Sequence, residues 1–326
     1  MSGDRTLVDL TALPDLFAHR VARAADLVAL GIFGGTVHRK CLPGGPWQRL
    51  LPGVLVLDSS PPTRSQLIQA ALRYAEPGPI VAGGYALLLH GMRTAPRPGP
   101  VHVLIPNGRR VRGTRLVMVE HASLMPKPVL RQGFLVTPLE RALLDGVRRL
   151  HHGEQVRAMF SEAIWDKGLS PVLLEAALAA ESQQGRTLPR RVLADVVDRA
   201  RTAAEGLSRQ LIHAAGLPRP RWHVLLEDGE ACLGAVSCWW DDDDAVAMDI
   251  DMEADNPVAG THAKALDRHA MLTSTGVIVV HTSPRRLRHR QAEVISELRR
   301  AHGRARTRQH PRVTARGQHP RSRDAR

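Results

Sequence analysis

The side chains best suited to chemistry in this sequence fall between residues 20 and 49. Thr36, His38 and Arg39 can exchange hydrogen bonds with nucleobase edges, and Lys40, Arg49 and Arg20 carry the positive charge that neutralises phosphates. These six form a nucleic-acid surface only if local structure turns them outward together. Elsewhere the chemistry-bearing residue types are dispersed. His151, His152, His213, His269 and His281 lack metal-ligand spacing, and neither Gly83-Gly84 nor Gly44-Gly45 sits in a GxxxxGK phosphate loop. Ser59 and Ser60 have no nucleophile context. Cys41, Cys232 and Cys238 are too few for a disulfide framework and unlike a zinc site in spacing, so a reduced, cytoplasmic protein is expected.

The elements that must position the six residues are short. Ala25, Leu27, Val28 and Leu30 predict a helix over residues 22–30 with one face on a core. Gly31 breaks it. Ile32, Phe33, Val37 and Cys41 then supply the apolar side of a second helix, whose other side shows Thr36, His38, Arg39 and Lys40. After the turn run Pro43-Gly44-Gly45-Pro46, residues 47–51 and 54–57 flank Pro52-Gly53 as a small hairpin. Together with a leading helix over residues 6–18, this predicts a winged helix-turn-helix over residues 1–60. Spacing alone fits equally a helical hairpin with a solvated basic face. Gly34 and Gly35, at roughly 1 kcal/mol each against alanine, would soften the first turn of the basic helix.

The run GGPWQRLLPGV, preceded by a short helix, Gly31 and a basic helix, resembles the amino-terminal domain of AbiEi-type antitoxins in their actinobacterial form. The stretches TRSQLIQAALRYAEPGPIVAGGYALLLHGM, VHVLIP and LVTPLERALLDGVRRL continue the similarity to about Leu150. The resemblance implies a repressor that binds double-stranded promoter DNA, with a cognate toxin encoded nearby as a second candidate partner.

Composition bounds the remainder. At 326 residues the chain has room for two cored domains. Its formal charge of +13 favours a polyanionic partner, but the eight arginines and one aspartate of residues 303–326 account for +7 of it. That Pro-, Arg-, Gln- and Gly-rich tail is expected to be disordered. Neither a signal peptide nor an apolar run of about 18 residues occurs, so no membrane partner is expected.

Residues 61–150 read as a small α/β domain, with helices over 63–75 and 86–90. Strands over 100–106 and 114–120 are joined by the basic turn NGRRVRG, whose Arg109, Arg110 and Arg112 could meet a DNA backbone or simply be solvated. Thr137, Pro138 and Glu140 predict a capping box opening a helix to about residue 150. Helices over 153–165, 170–180 and 189–215 follow, and residues 151–200 read as a helical connector.

From residue 201 the pattern becomes helix, three strands (222–226, 235–240, 245–251), helix (261–273), strand (277–281) and helix (288–302). With TAAEGLSRQLIHAAGLPRPRW before it, this order resembles the very-short-patch-repair-like endonuclease module of the PD-(D/E)XK type. The resemblance implies a restriction-endonuclease-like α/β domain over 201–302, in which acidic oxygens hold magnesium for phosphodiester hydrolysis. Matched position by position, Glu205, Asp249 and Asp251 fall on the family's catalytic and metal-binding acids. Ser237 stands where the family carries an aspartate, which removes a charge. Asp241 to Asp244 could compensate, although a four-acid run is usually a solvated turn, and His262 is the one candidate for the family's histidine. The expectation is therefore a mixed α+β and α/β protein whose function is DNA-binding transcriptional regulation, with a degenerate nuclease-like module. The alternative is a magnesium-dependent DNA endonuclease targeted by the amino-terminal domain.

Overall fold

A computed structural model describes residues 12–318 except 98, 181–186, 230, 242–244, 253–266, 268 and 309. The fold is mixed α+β with three small sheets, and the chain divides into two compact units, Met1–Leu150 and His151–Arg326. Among the described residues no helix is long and apolar enough to cross a membrane.

In the first unit, two 3-10 turns (Leu13–Leu16 and Ala18–Arg20) lead into β1 (Val21–Arg23), α1 (Ala24–Ala29), α2 (Gly34–Lys40), β2 (Gln48–Leu51) and β3 (Val54–Val56). The strands form an antiparallel sheet in the order β1-β3-β2. Gly31 (φ +88°) separates the helices and Gly53 (φ +72°) turns the hairpin, both in the left-handed region that a Cβ disfavours. Leu13, Ala22, Leu27, Ile32, Val37, Trp47, Leu55 and Leu57 make one core. The apolar faces predicted for the two helices are narrower than expected. Leu27 alone of the α1 set is buried, whereas Ala25, Val28 and Leu30 are exposed and Phe33 is 80% exposed. A six-residue helix makes fewer than two turns, so a single position can face the core squarely.

The first unit continues with α3 (Arg64–Ala75), β4 (Ile80–Val81), α4 (Gly83–Leu89), β5 (Val101–Pro106), β6 (Val117–Ala122), β7 (Val129–Arg131), β8 (Phe134–Val136) and α5 (Leu139–Val147). A capping box opens α3: the Gln66 amide donates to Thr63 Oγ1 and the Thr63 amide to Gln66 Oε1. Because α3 packs on β1 and β3 as well as on β5, residues 1–60 and 61–150 share one compact unit.

The second sheet runs β6-β5-β4-β8-β7. β5 and β6 pair in parallel, Val101 opposite Val117, so the basic segment between them is a return crossing and not a hairpin turn. Its Arg109 is half-buried and donates to the carbonyls of Ala75, Glu76 and Pro77, capping the end of α3, which removes it from a DNA-facing role. The capping box expected at Thr137 does not form. The Thr137 amide is held by the Val81 carbonyl (2.8 Å) at the end of β8, its side chain is buried, and extended Pro138 takes the cap position.

The second unit comprises α6 (Gly153–Trp165), α7 (Pro171–Ala180), α8 (Thr187–Ala214), β9 (Arg221–Asp228), β10 (Ala231–Trp240), β11 (Val246–Ile250), a helical segment ending at residue 274, β12 (Ile278–Thr282), α9 (Pro284–His289), α10 (Gln291–Ala305) and β13 (Val313–Gln318). α8 runs unbroken through residue 200, so the expected connector and the expected nuclease-like domain share one helix. The sheet order is β12-β11-β10-β9-β13, with β11 and β12 parallel and the other pairs antiparallel. One face packs Cys238, Trp240 and Met248 against Ala204, Leu211, Leu287 and Leu298 of α8, α9 and α10. The other gathers Val224, Leu226, Trp239, Ala247, Leu272 and Val313. β13 corrects the expectation of a disordered tail over its residues: Val313 is buried and Ala315 half-buried while Thr314 and Arg316 are exposed, the period-two pattern of a strand closing the β9 edge.

Candidate functional site

In α2, Val37 points into the core, which fixes the opposite side of the helix outward. His38 and Arg39 are exposed and Thr36 and Lys40 half-exposed. The hairpin is tied to the end of this helix: the Trp47 amide donates to the Lys40 carbonyl (3.1 Å), and a Cβ on Gly45 would lie 2.3 Å from that same oxygen. Glycine at 45 therefore lets the chain double back tightly enough to bring Arg49 of β2 close to α2. Burial raises the pKa of the Cys41 thiol at the end of α2, and the Arg49 charge opposes the shift. Among the described residues, no carboxylate pairs with Arg39, Lys40 or Arg49.

Arg20 is placed differently. It lies in the left-handed region (φ +59°) and pairs with Asp15 (3.3 Å) and Asp58 (3.8 Å). The Asp58 carboxyl is itself held below the usual range, first by the amide and hydroxyl of Ser60 and then by the Arg20 charge. Of the six predicted residues, five lie on α2 and β2 with no carboxylate pairing them among the described residues, and Arg20 is already paired.

Sequence reasoning misses Phe33, because apolar spacing assigns it to the core. Its ring is the most exposed of the large apolar side chains ahead of α2 and lies over Gly35, where a Cβ would come within 2.9 Å of it, while Gly34 faces open space. A large apolar residue directly before two glycines is the available signal.

A second charged group lies beneath the β6-β5-β4-β8-β7 sheet. Glu120 of β6 meets His102 of β5 (3.1 Å), Arg141 of α5 (2.9 Å), Arg148 (3.5 Å) and Arg149 (3.4 Å). Its carboxyl is pulled down to about 2 by the His102 hydrogen bond first, then by the charges of His102, Arg148 and Arg141, against the opposing effect of burial. Asp145, fully buried and paired with Arg141 (3.0 Å) and Arg148, is pushed up by burial. Each of the two carboxylates is held by at least two arginines, the arrangement of a structural network.

In the second unit, Glu205 of α8 is 4% exposed and Asp249 of β11 is 6% exposed. The two carboxylates meet different neighbours. Glu205 Oε1 lies 3.2 Å from His223 Nε2. His223 adopts φ +53°, and there β9 exchanges faces, Trp222 packing with the α8 side and Val224 with the other. Asp249 follows Ala247 by strand alternation and faces Ser237 Oγ (3.4 Å) and His281 Nδ1 (4.0 Å), with His281 in turn bonded to His269 (2.7 Å). Ser237 Oγ also accepts the Ile250 amide (3.0 Å). Asp251 lies one residue beyond β11, its amide donating to the Thr282 carbonyl (2.8 Å). Cys238 is buried, and its thiol is pushed well up by burial, then by the charges of Glu205 and Asp249.

Among the described residues no group of three histidine, cysteine or acidic side chains is arranged to hold a metal ion. Asp241 pairs with Arg221 (3.0 Å), while Asp242 to Asp244 and His262 lie outside the described residues. No family model, curated protein or solved structure matches this chain.

Proposed function

We propose that the protein is a DNA-binding transcriptional regulator resembling an AbiEi-type antitoxin, acting on promoter DNA in the cytoplasm through a winged helix-turn-helix formed by α1, α2 and the β2–β3 hairpin. The observation that carries this reading is the grouping of Arg39, Lys40 and Arg49 with exposed His38 around one short helix, with no carboxylate pairing the three cations among the described residues. A helix of this kind enters the major groove with its outward side chains at base edges, while flanking cations take phosphates. Phe33 extends the readable set, because an exposed aromatic ring ahead of α2 suits contact with a thymine methyl. A cognate toxin is the protein partner in this reading. The test is retardation of a fragment from upstream of the protein's own gene. Arg39→Ala combined with Lys40→Ala abolishes the shift if α2 is the reader, and equal retardation by the double variant rejects the assignment.

A second reading, a magnesium-dependent endonuclease in the second unit, draws on the sequence resemblance together with the order α8, β9, β10, β11, helical segment and parallel β12. Among the described residues no three acidic or histidine side chains are arranged to hold the ion. Glu205 faces His223, Asp249 faces Ser237 and His281, and Ser237 brings no charge. This reading predicts magnesium- or manganese-dependent cleavage lost in Glu205→Ala and Asp251→Ala. A wild-type protein inert on duplex, mismatched and single-stranded DNA removes it.

A further inference from the structure

α8 carries small side chains where α6 passes it. Ala200 and Ala203, one turn apart, leave a trough that α6 does not fill, and a groove of about 470 Å³ opens there. Its floor is carbon: the Trp165 indole at the end of α6, with Val196, Ala200 and Leu207 of α8. Its polar lining is almost entirely guanidinium, from Arg157, Arg199 and Arg288, and no carboxylate lines it.

The acids that pair with these arginines are not among the residues lining the groove. Asp195 accepts from both Arg157 Nε (3.2 Å) and Arg199 Nε (3.0 Å), and the terminal amino groups of exposed Arg199 have no partner among the described residues. Arg288 faces Asp166 at 3.6 Å, beyond hydrogen-bond length, and Asp166 also meets His289 Nε2 at 3.2 Å. The Arg288 guanidinium instead lies 6.0 Å from the Trp165 ring centroid. The groove thus offers an apolar floor, one flat aromatic face and outward N–H donors.

We propose that this groove binds a small amphiphilic anion, an aromatic carboxylate or sulfonate whose ring rests on Trp165 and whose charge is taken by Arg199 and Arg288. The volume falls within the range of single-ligand pockets, on the order of 300–1,000 Å³, which favours a small molecule over a partner helix, whose anchors need a longer trough. Guanidinium donors without a lining acid select a negative charge, and a planar donor beside an aromatic face selects a flat body.

The experiment titrates the full chain with 1-anilinonaphthalene-8-sulfonate, followed by its fluorescence, and competes the probe with 2-naphthoate and with neutral 2-naphthamide. One saturable site is expected, displaced by the acid and not by the amide. Arg199→Gln and Arg288→Gln, both at exposed positions, each weaken it by about tenfold, the scale of one charge-assisted hydrogen bond. Ala203→Trp fills the trough from an exposed position and abolishes binding, with circular dichroism reporting that the helices remain. Affinity unchanged in the three variants, equal competition by acid and amide, or absence of a saturable site would overturn the proposal.

Discussion

Around α2, Arg39 and Lys40 have no carboxylate within ion-pair reach among the described residues, while in the second unit Asp249 lies against Ser237 and His281 and Glu205 against His223. Both regions hold charged residues that a sequence reader would assign to nucleic-acid chemistry. The exposed cations keep their attraction available for an external phosphate, since solvation is all that an arriving anion must displace. The buried acids have exchanged water for neighbours inside the fold, and recruiting them to an ion would first break those contacts. The difference separates cations open to an external anion from acids already placed against neighbours inside the fold.

The largest effect that tests this contrast is at α2. Replacing Arg39 and Lys40 with alanine weakens operator binding at least about a hundredfold and flattens the dependence of log K on log salt by roughly one unit for each phosphate no longer engaged. Tight, equally salt-sensitive binding by the double variant would erase the contrast.

Next is Glu120, an internally paired acid in the first unit. Its folded pKa of about 2 lies below the ordinary 4.5, so its stabilisation is fully present above about pH 4.5 and is lost as pH falls toward about 2. The full shift corresponds to on the order of 3 kcal/mol. Asp145, shifted upward by burial, works in the opposite sense and reduces the net slope. Glu120→Gln should flatten the acid limb of denaturant melts followed by circular dichroism, and an unchanged limb would mean that the network holds no such energy.

A smaller loss is expected from Ser237→Ala, which leaves the Ile250 amide without its acceptor at a cost of about 1–3 kcal/mol. Trp165, Trp222, Trp239 and Trp240, four of the five tryptophans, lie in the second unit, so indole fluorescence follows mainly its unfolding. DNA affinity should not move. A variant that melts like the parent would return Ser237 to an open role. The smallest change is Arg20→Ala: its exposed pairs with Asp15 and Asp58 are worth under about 1 kcal/mol, and operator affinity should shift by a few-fold at most. A loss matching the α2 double variant would add Arg20 to the reading face.

What could be read in the sequence was local. Pro52-Gly53 between two apolar runs specified the β2–β3 hairpin, and the periodicity of residues 153–165 specified α6, because turn chemistry and helical spacing act over a few residues. Thr137 had the right residues for a cap, yet the Val81 carbonyl, 56 positions away along the chain, holds its amide in the sheet. The alternation at 313–316 was hidden among arginines because its partner strand β9 is remote in sequence. At the candidate sites, residue types were legible and partners were not. That Asp58 sits beside Arg20, or His223 beside Glu205, depends on backbone that bends through positive φ, at His19 and Arg20 in the turn before β1 and at His223 within β9.

β13 also has a bearing on how the protein can be handled. Its register against Val224–Asp228 of β9 means that a chain shortened before Val313 leaves β9 as the outermost strand, with a row of amides and carbonyls and the apolar side chains of Val224 and Leu226 beside it. Such an edge is a template for any other extended chain, including another copy of itself. Trimming the arginine-rich end to reduce charge would therefore promote strand-to-strand association, visible as a concentration-dependent increase in mass by light scattering.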